Sequence, residues 1–169
     1  MTPETTENAR MLNRPFDLWR TTGVVSEGAS MFVIEPESSP RPGYGFISGY
    51  AYANDASEDL CGGMIEAMEQ AIADAGVRPG EIDAISAWGP GHREIDAAEA
   101  QSLRQVFRAQ LKGIPVASIK GAIGNPLGAA PAIQLAAAAL SNRTGVLPAT
   151  VNWQYPDPEC PLNLCARPR

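Results

Sequence analysis

Histidine is almost missing from this sequence: the 169 residues contain one, His92. That disfavours a dedicated zinc or haem site, which draws on imidazoles or clustered thiolates. The three cysteines, Cys61, Cys160 and Cys165, form no Cys-x-x-Cys pair either, so no metal and no other cofactor is expected. Positive charge is also short. Thirteen Lys and Arg stand against nineteen Asp and Glu, a formal net charge of −6. Nucleic acid calls for a basic face, and no basic stripe with interleaved aromatics occurs. Long hydrophobic runs are lacking too. The Ala-rich stretch 132–140 is too short to cross a bilayer. The polar first ten residues read as neither a signal peptide nor a membrane span. The expectation is a cytoplasmic chain without membrane or nucleic acid partners, its cysteines reduced thiols.

What is present is the composition of a globular domain, 44% hydrophobic and 19% charged. Residues 1–22 read as a polar segment, loosely held apart from Arg14-Pro15-Phe16-Asp17, and 23–169 as the domain proper. Strand-like runs are predicted at Gly23–Glu35, Phe46–Ala53, Ile82–Trp88, Ile114–Ser118 and Gly145–Val151. A helix over 58–75 follows from Leu60, Met64, Met68, Ile72 and Ala75, with Ser57 as its cap and Gly76 at its end. A second helix is capped by Asp96, with Glu99 as the reciprocal member of a capping box. A third, almost wholly apolar, runs from Leu127 to Leu140 after Asn125-Pro126, where Asn can cap free N–H groups and Pro needs no donor. Before it, glycines at 121, 124 and 128 allow a tight turn and close backbone approach. Alternating strands and helices imply an α/β fold, a mostly parallel sheet flanked by helices, with the apolar helix buried.

The segment Ser118-Ile119-Lys120-Gly121-Ala122-Ile123-Gly124-Asn125 resembles the Ser-x-Lys-x-x-x-Gly-His segment of β-ketoacyl synthases, members of the thiolase superfamily. Arg14-Pro15-Phe16-Asp17 and Gly23–Ala29 resemble a second pattern of that family. The likeness runs from about Arg14 to Arg169 and corresponds to the C-terminal half of a ketosynthase. The first half, with its nucleophilic cysteine, and the closing Gly-Phe-Gly-Gly segment have no counterpart in these residues. The resemblance implies half of a thiolase-like fold.

It also implies where catalytic groups would stand. The family's first histidine lies in Asn-Ala-His-Gly-Thr, matched here by Ser86-Ala87-Trp88-Gly89-Pro90. Trp88 replaces a proton carrier with an indole, which has one donor and no basic nitrogen. It either fills the pocket or packs the end of a strand. Asn125 replaces the second histidine; it can donate to an oxyanion but cannot shuttle protons, and helix capping explains it more simply. Lys120 matches the family lysine, and Glu99 the family acid. A Lys120–Glu99 pair kept as scaffolding is the favoured role for both. None of the cysteines substitutes for the absent nucleophile, and His92, four residues beyond Trp88, reads as a solvated loop residue.

Chain-length factors, the inactive partners of aromatic polyketide ketosynthases, share further features. They carry Gly-x-x-x-x-Asp-x-x-Glu-Ala, matched by Gly91–Ala100, and Gly-Ala-Ala-Pro, matched by Gly128–Pro131, where Pro131 is expected to kink the helix. The resemblance therefore implies a catalytically inactive partner or scaffold in fatty-acid or polyketide biosynthesis. Its expected partners are a second copy, a ketosynthase or a missing half, with acyl carrier protein a further candidate. The alternative is the C-terminal half of a split synthase, active only beside a cysteine-bearing half.

Overall fold

The computed structural model describes residues 11–54 and 60–169. Helix α1 (Gly62–Asp74) is followed by strand β1 (Ile85–Ser86), helix α2 (Arg93–Phe107), strand β2 (Val116–Ala117), the short helix α3 (Lys120–Ile123) and helix α4 (Ala130–Thr144). β1 and β2 pair in parallel, Ile85 opposite Val116 and Ser86 opposite Ala117. The ribbon continues beyond these strands through backbone bonds. Leu164 forms a parallel bridge with Val116, Thr150 N–H donates to Cys165 O at 2.7 Å, and Leu147 exchanges bonds with Arg169. Gly145–Val151 is thus tied to the sheet at two points rather than forming a strand of its own.

The core lies between this ribbon and α2. Ala100, Leu103, Val106 and Phe107 of α2 are buried against Phe16, Ala87, Leu111, Ile114, Val116, Cys160 and Leu164. Ile65, Met68 and Ile72 bring α1 against the same cluster. α1 ends as its sequence requires. Gly76 has φ +68°, its N–H donates to Ala73 O, and Val77 N–H donates to Ile72 O, the double closure that satisfies a helix's last carbonyls. The expected cap Ser57 lies outside the described residues; α1 begins at Gly62 with Cys61 before it.

Around the core, several sequence expectations are corrected. The well-packed part of the N-terminal segment extends past Arg14–Asp17, because Asn13 and Arg20 are buried as well. Asp96 is not an N-cap. Gly91 takes φ +85° and turns the chain early, so α2 starts at Arg93 after His92, and Asp96 lies inside it. Pro131 does not kink α4. It falls in the first turn, where no N–H is required of it, after a 3-10 turn over Leu127–Ala129. Nor does Asn125 cap that helix, which is preceded by Ala129 without a side-chain cap bond. Of the three predicted glycines, Gly121 is needed because a Cβ there would meet the Val151 carbonyl, and Gly124 because φ is +72°; Gly128 has open space around it.

The largest departure concerns Gly23–Glu35 and Phe46–Ala53. Neither forms a strand in the described structure; Val25 makes one parallel bridge with Asn125. Their apolar side chains stand in the open, Met31 94% exposed, Val33 84% and Phe46 76%. β-branched and aromatic residues favour a pleated surface only when another strand completes it. α4, expected to be buried, has only Ala130 buried. An apolar helix must be covered on every side, and here Gln134 bonds to the end of β1 while Leu135 and Leu140 are exposed.

Candidate functional site

The site is assembled where β1, the turn after it, α2 and α3 converge. Asp96 and Glu99, three residues apart, share one face of α2. Both carboxylates are directed at the backbone of the turn that follows β1. Trp88 N–H donates to Glu99 Oε1 at 2.7 Å and Gly89 N–H to Oε2 at 2.8 Å. Gly91 N–H donates to Asp96 Oδ1 at 3.1 Å, and Phe16 N–H to Asp96 Oδ2 at 2.7 Å. The capping-box spacing seen in the sequence thus serves a different purpose: the two acids pin a loop beside the helix.

Gly89 permits that loop. Its φ is +41°, and a Cβ would collide with the Phe16 ring and Ser118. Phe16 is fully buried with φ +56°, a strained setting for an aromatic residue that its bond to Asp96 helps to hold. Ser118 closes the loop from β2. Its hydroxyl donates to Gly89 O at 2.9 Å and accepts from Lys120 N–H at 3.3 Å.

Lys120 is wholly buried. The expected salt bridge with Glu99 is not formed. Lys120 Nζ donates instead to Gln134 Oε1 at 2.6 Å, while the Glu99 oxygens are engaged by the loop N–H groups. The two charges still act on each other. Burial pushes the Lys120 ammonium down to about 8, with Glu99 acting in the opposite sense. Burial raises Glu99 above its usual range, against the Gly89 and Trp88 N–H groups and the Lys120 charge. Burial also pushes Asp96 up to about 7, against the Phe16 N–H and the Arg20 charge, and Glu99 adds to the rise.

Trp88, Glu99 and Lys120 therefore belong to one network. Trp88, 39% exposed, enters it through its backbone N–H. Asn125 stands apart, past the turn of α3. Its backbone bonds to Val24 and Ser26, and its buried Oδ1 has no partner. His92 is half-buried at the start of α2 rather than solvated, and its Nδ1 is enclosed without a partner. All three thiols are buried; Cys160 lies against Asp96 O, and burial pushes it up to about 12, which makes it a poor nucleophile. No cluster of three or more His, Cys, Asp or Glu that could hold a metal ion occurs among the described residues. No helix among them is long and apolar enough to cross a membrane.

Sequence reasoning named Ser118 as the start of the Ser-x-Lys motif, with no role of its own, and missed Gln134. Gln134 had a readable signal, being the one polar side chain between Leu127 and Leu140. A cleft of about 420 Å³ between the strand pair and α4, lined by Ser86, Ala117, Ala137 and Ser141 among others, lies beside this network without including Lys120 or Trp88.

A parallel ribbon with a glycine-bearing Ser-x-Lys turn leading to an apolar helix defines half of a thiolase-like condensing-enzyme fold. The chain belongs to the family described as beta-ketoacyl synthase, C-terminal domain, whose model matches residues 43–154, about two-thirds of the sequence. It is 38% identical over 159 residues to a putative polyketide beta-ketoacyl synthase 1 of Streptomyces virginiae, covering 89% of this chain and 38% of the relative. It is 35% identical over 161 residues to the tetracenomycin polyketide synthase ketoacyl synthase alpha subunit of Streptomyces glaucescens, with the same two coverages. Among solved structures, the ishigamide ketosynthase/chain length factor superposes with a TM-score of 0.87 at 30% identity, covering 94% of this chain and 41% of that one. A type II acyl-carrier protein–ketosynthase complex bound to a hexaketide gives 0.83 at 26% identity, covering 100% and 44%. The chain thus spans about two-fifths of the length of these relatives.

Proposed function

We propose that this chain supplies the C-terminal half of a ketosynthase-like subunit that does not itself turn over substrate and serves as a partner or scaffold in polyketide assembly, in the manner of a chain-length factor. The observation that carries this reading is the state of the network around Lys120. The lysine, its acid and the loop they organise are all kept. Where the family pattern requires imidazoles, however, stand a half-covered indole and an asparagine whose buried Oδ1 has no partner. General acid–base work needs a group that exchanges protons within hydrogen-bond reach of the reacting atom. Neither Trp88 nor Asn125 can do so.

The exposed apolar residues of 23–35, 46–53 and α4 support a life against other protein. The remaining part of a ketosynthase fold is the occupant of the right kind, whether it belongs to the same polypeptide or another. Relatives named as ketosynthases with a chain length factor or a carrier protein favour polyketide over fatty-acid assembly.

The test is a reconstitution with a catalytic ketosynthase subunit and malonyl-loaded carrier protein. Expected is a change in the amount or length of product when this chain is added, with no acyl group carried on it. A different outcome would defeat the proposal. That outcome is condensation by an assembly in which this chain is the only ketosynthase C-terminal half, abolished by Lys120→Ala or His92→Ala. The chain would then be the working half of a split synthase.

A further inference from the structure

We propose that Gln134 is the positioning residue of the Lys120 centre: its amide engages the buried lysine on one side and the end of β1 on the other, holding Lys120 in an internal contact. Three observations carry this. Lys120 Nζ donates to Gln134 Oε1 at 2.6 Å. Gln134 Nε2 donates to Ala87 O at 2.7 Å, the residue before Trp88. Gln134 is the one polar side chain in the run Leu127–Leu140, so no neighbour on that stretch can take its place.

The amide's orientation is forced. Turned over, it would set N–H groups against the lysine ammonium and an oxygen against the Ala87 carbonyl, two repulsive contacts in place of two bonds. The residue thereby links α4 and α3 to the end of β1, near the loop that Glu99 pins from α2. It also decides what kind of acceptor the lysine meets. Glu99 is the charged group acting on Lys120, but its oxygens are aimed at Trp88 and Gly89 N–H and form no direct bond with the lysine, which donates to Gln134. The direct contact is therefore a neutral carbonyl. A buried ammonium facing a neutral acceptor keeps its proton less firmly than one facing a carboxylate; burial itself already lowers Lys120 to about 8.

This inference involves no condensation chemistry, so it stands or falls separately from the silent-subunit reading. The sequence contains only two lysines, Lys112 and Lys120. Lys112 is exposed and gives an internal reference. The full chain, labelled with 13C-lysine, is titrated by NMR while circular dichroism monitors its fold. Gln134→Glu keeps an acceptor and adds a charge, so the Lys120 midpoint should rise by about 1 to 3 units. Gln134→Leu removes the acceptor, and the midpoint should fall. Lys112 should move in neither variant. Opposite displacements cannot come from lost packing, which would act in one sense on both variants. If Gln134→Leu does not fold, Gln134→Met, of closer shape and with only a weak acceptor, supplies the opposite displacement. Folded Gln134→Glu protein in which Lys120 titrates as in the unsubstituted chain would overturn the proposal.

Discussion

Two regions of this molecule, drawn from the same chain, are finished to very different degrees. Around Asn13–Arg20, a dense set of buried polar groups is joined by hydrogen bonds and ion pairs, although Asn13 Oδ1 is left without a partner. Asp17 accepts from the N–H groups of Trp19, Gln154 and Tyr155 and pairs with Arg14 at 3.0 Å. Arg20 lies between Asp96 and Asp157 and donates to Arg93 O. Asn13 reaches the Lys120 carbonyl at 2.6 Å. This knot fastens the N-terminal segment to α2 and the C-terminal tail, segments far apart in sequence. Elsewhere, residues 23–35 and 46–53 leave large apolar side chains in the open, and α4 buries only Ala130. A buried polar group left without a partner costs about 1–3 kcal/mol, whereas an exposed apolar side chain carries no such unmet bond. The difference separates a region held by polar bonds across the chain from one whose apolar side chains lie open, as the proposed partner role requires.

Breaking the knot should produce the largest effect. Asp17→Ala removes the acceptor of three backbone N–H groups and leaves Arg14 buried without its ion pair. Loss of one member of a buried pair costs about 3–5 kcal/mol. Urea denaturation should show that loss, and a change below about 1 kcal/mol would mean the knot is peripheral to folding. Burial works against the Asp17 carboxylate, yet Arg14 and the N–H groups prevail and hold it below its usual range. Stability from this group is therefore present above the unfolded carboxylate range and lost as pH falls through the lower folded value.

Asp96, within the same knot, titrates with the opposite sign, and the effect is smaller. Its folded value of about 7 exceeds the unfolded 3.8. The folded state holds the proton over that window while the unfolded state has released it, so stability should decline as pH rises from about 4 to 7. Asp96→Asn should flatten that decline while lowering stability by about 1–3 kcal/mol, because an amide cannot accept from both Phe16 and Gly91 N–H groups with both of its ends. Thermal unfolding of the two proteins at pH 4.5, 6 and 7.5 makes the comparison. A slope unchanged by the substitution would assign the pH dependence to other groups.

The knot and the open face also differ in how far the sequence foretold them. Ile82–Trp88 and Ile114–Ser118 contain β1 and β2, and the Gly76 ending is as expected, because local turn chemistry and an apolar run suffice for each. Lys120 and Glu99 could be found through a family pattern, but their partners could not. Gln134 meets Lys120 across a helix start, and Trp88 meets Glu99 through a backbone N–H that no side-chain pattern encodes. Asp96 and Glu99 misled for a physical reason. The spacing that makes a capping box also places two acids on one helix face, and only the early turn at Gly91 decides between them. The two predicted strands failed for the converse reason. Their residues suit a sheet, yet pairing depends on a neighbour that the described structure does not contain.

The smallest expected effect is also the sharpest check on the comparison. Val33→Thr keeps the β-branched shape of a side chain that is 84% exposed, and Leu135→Gln keeps a good helix former on the outer flank of α4. Exposed side chains away from special contacts change stability by about 0.5 kcal/mol or less. Both variants should therefore unfold as the unsubstituted chain does, in contrast to Asp17→Ala. The same substitutions remove apolar surface that has no cover within this chain, and water-exposed patches of that kind promote association. Analytical ultracentrifugation should show less self-association for the double variant at equal stability. Separating the two readouts matters. A loss of stability would show that these residues already pack within the chain, and the open face would cease to be open. Unchanged stability with reduced association is the pattern required of a surface that belongs to folding of a larger assembly rather than to folding of this chain.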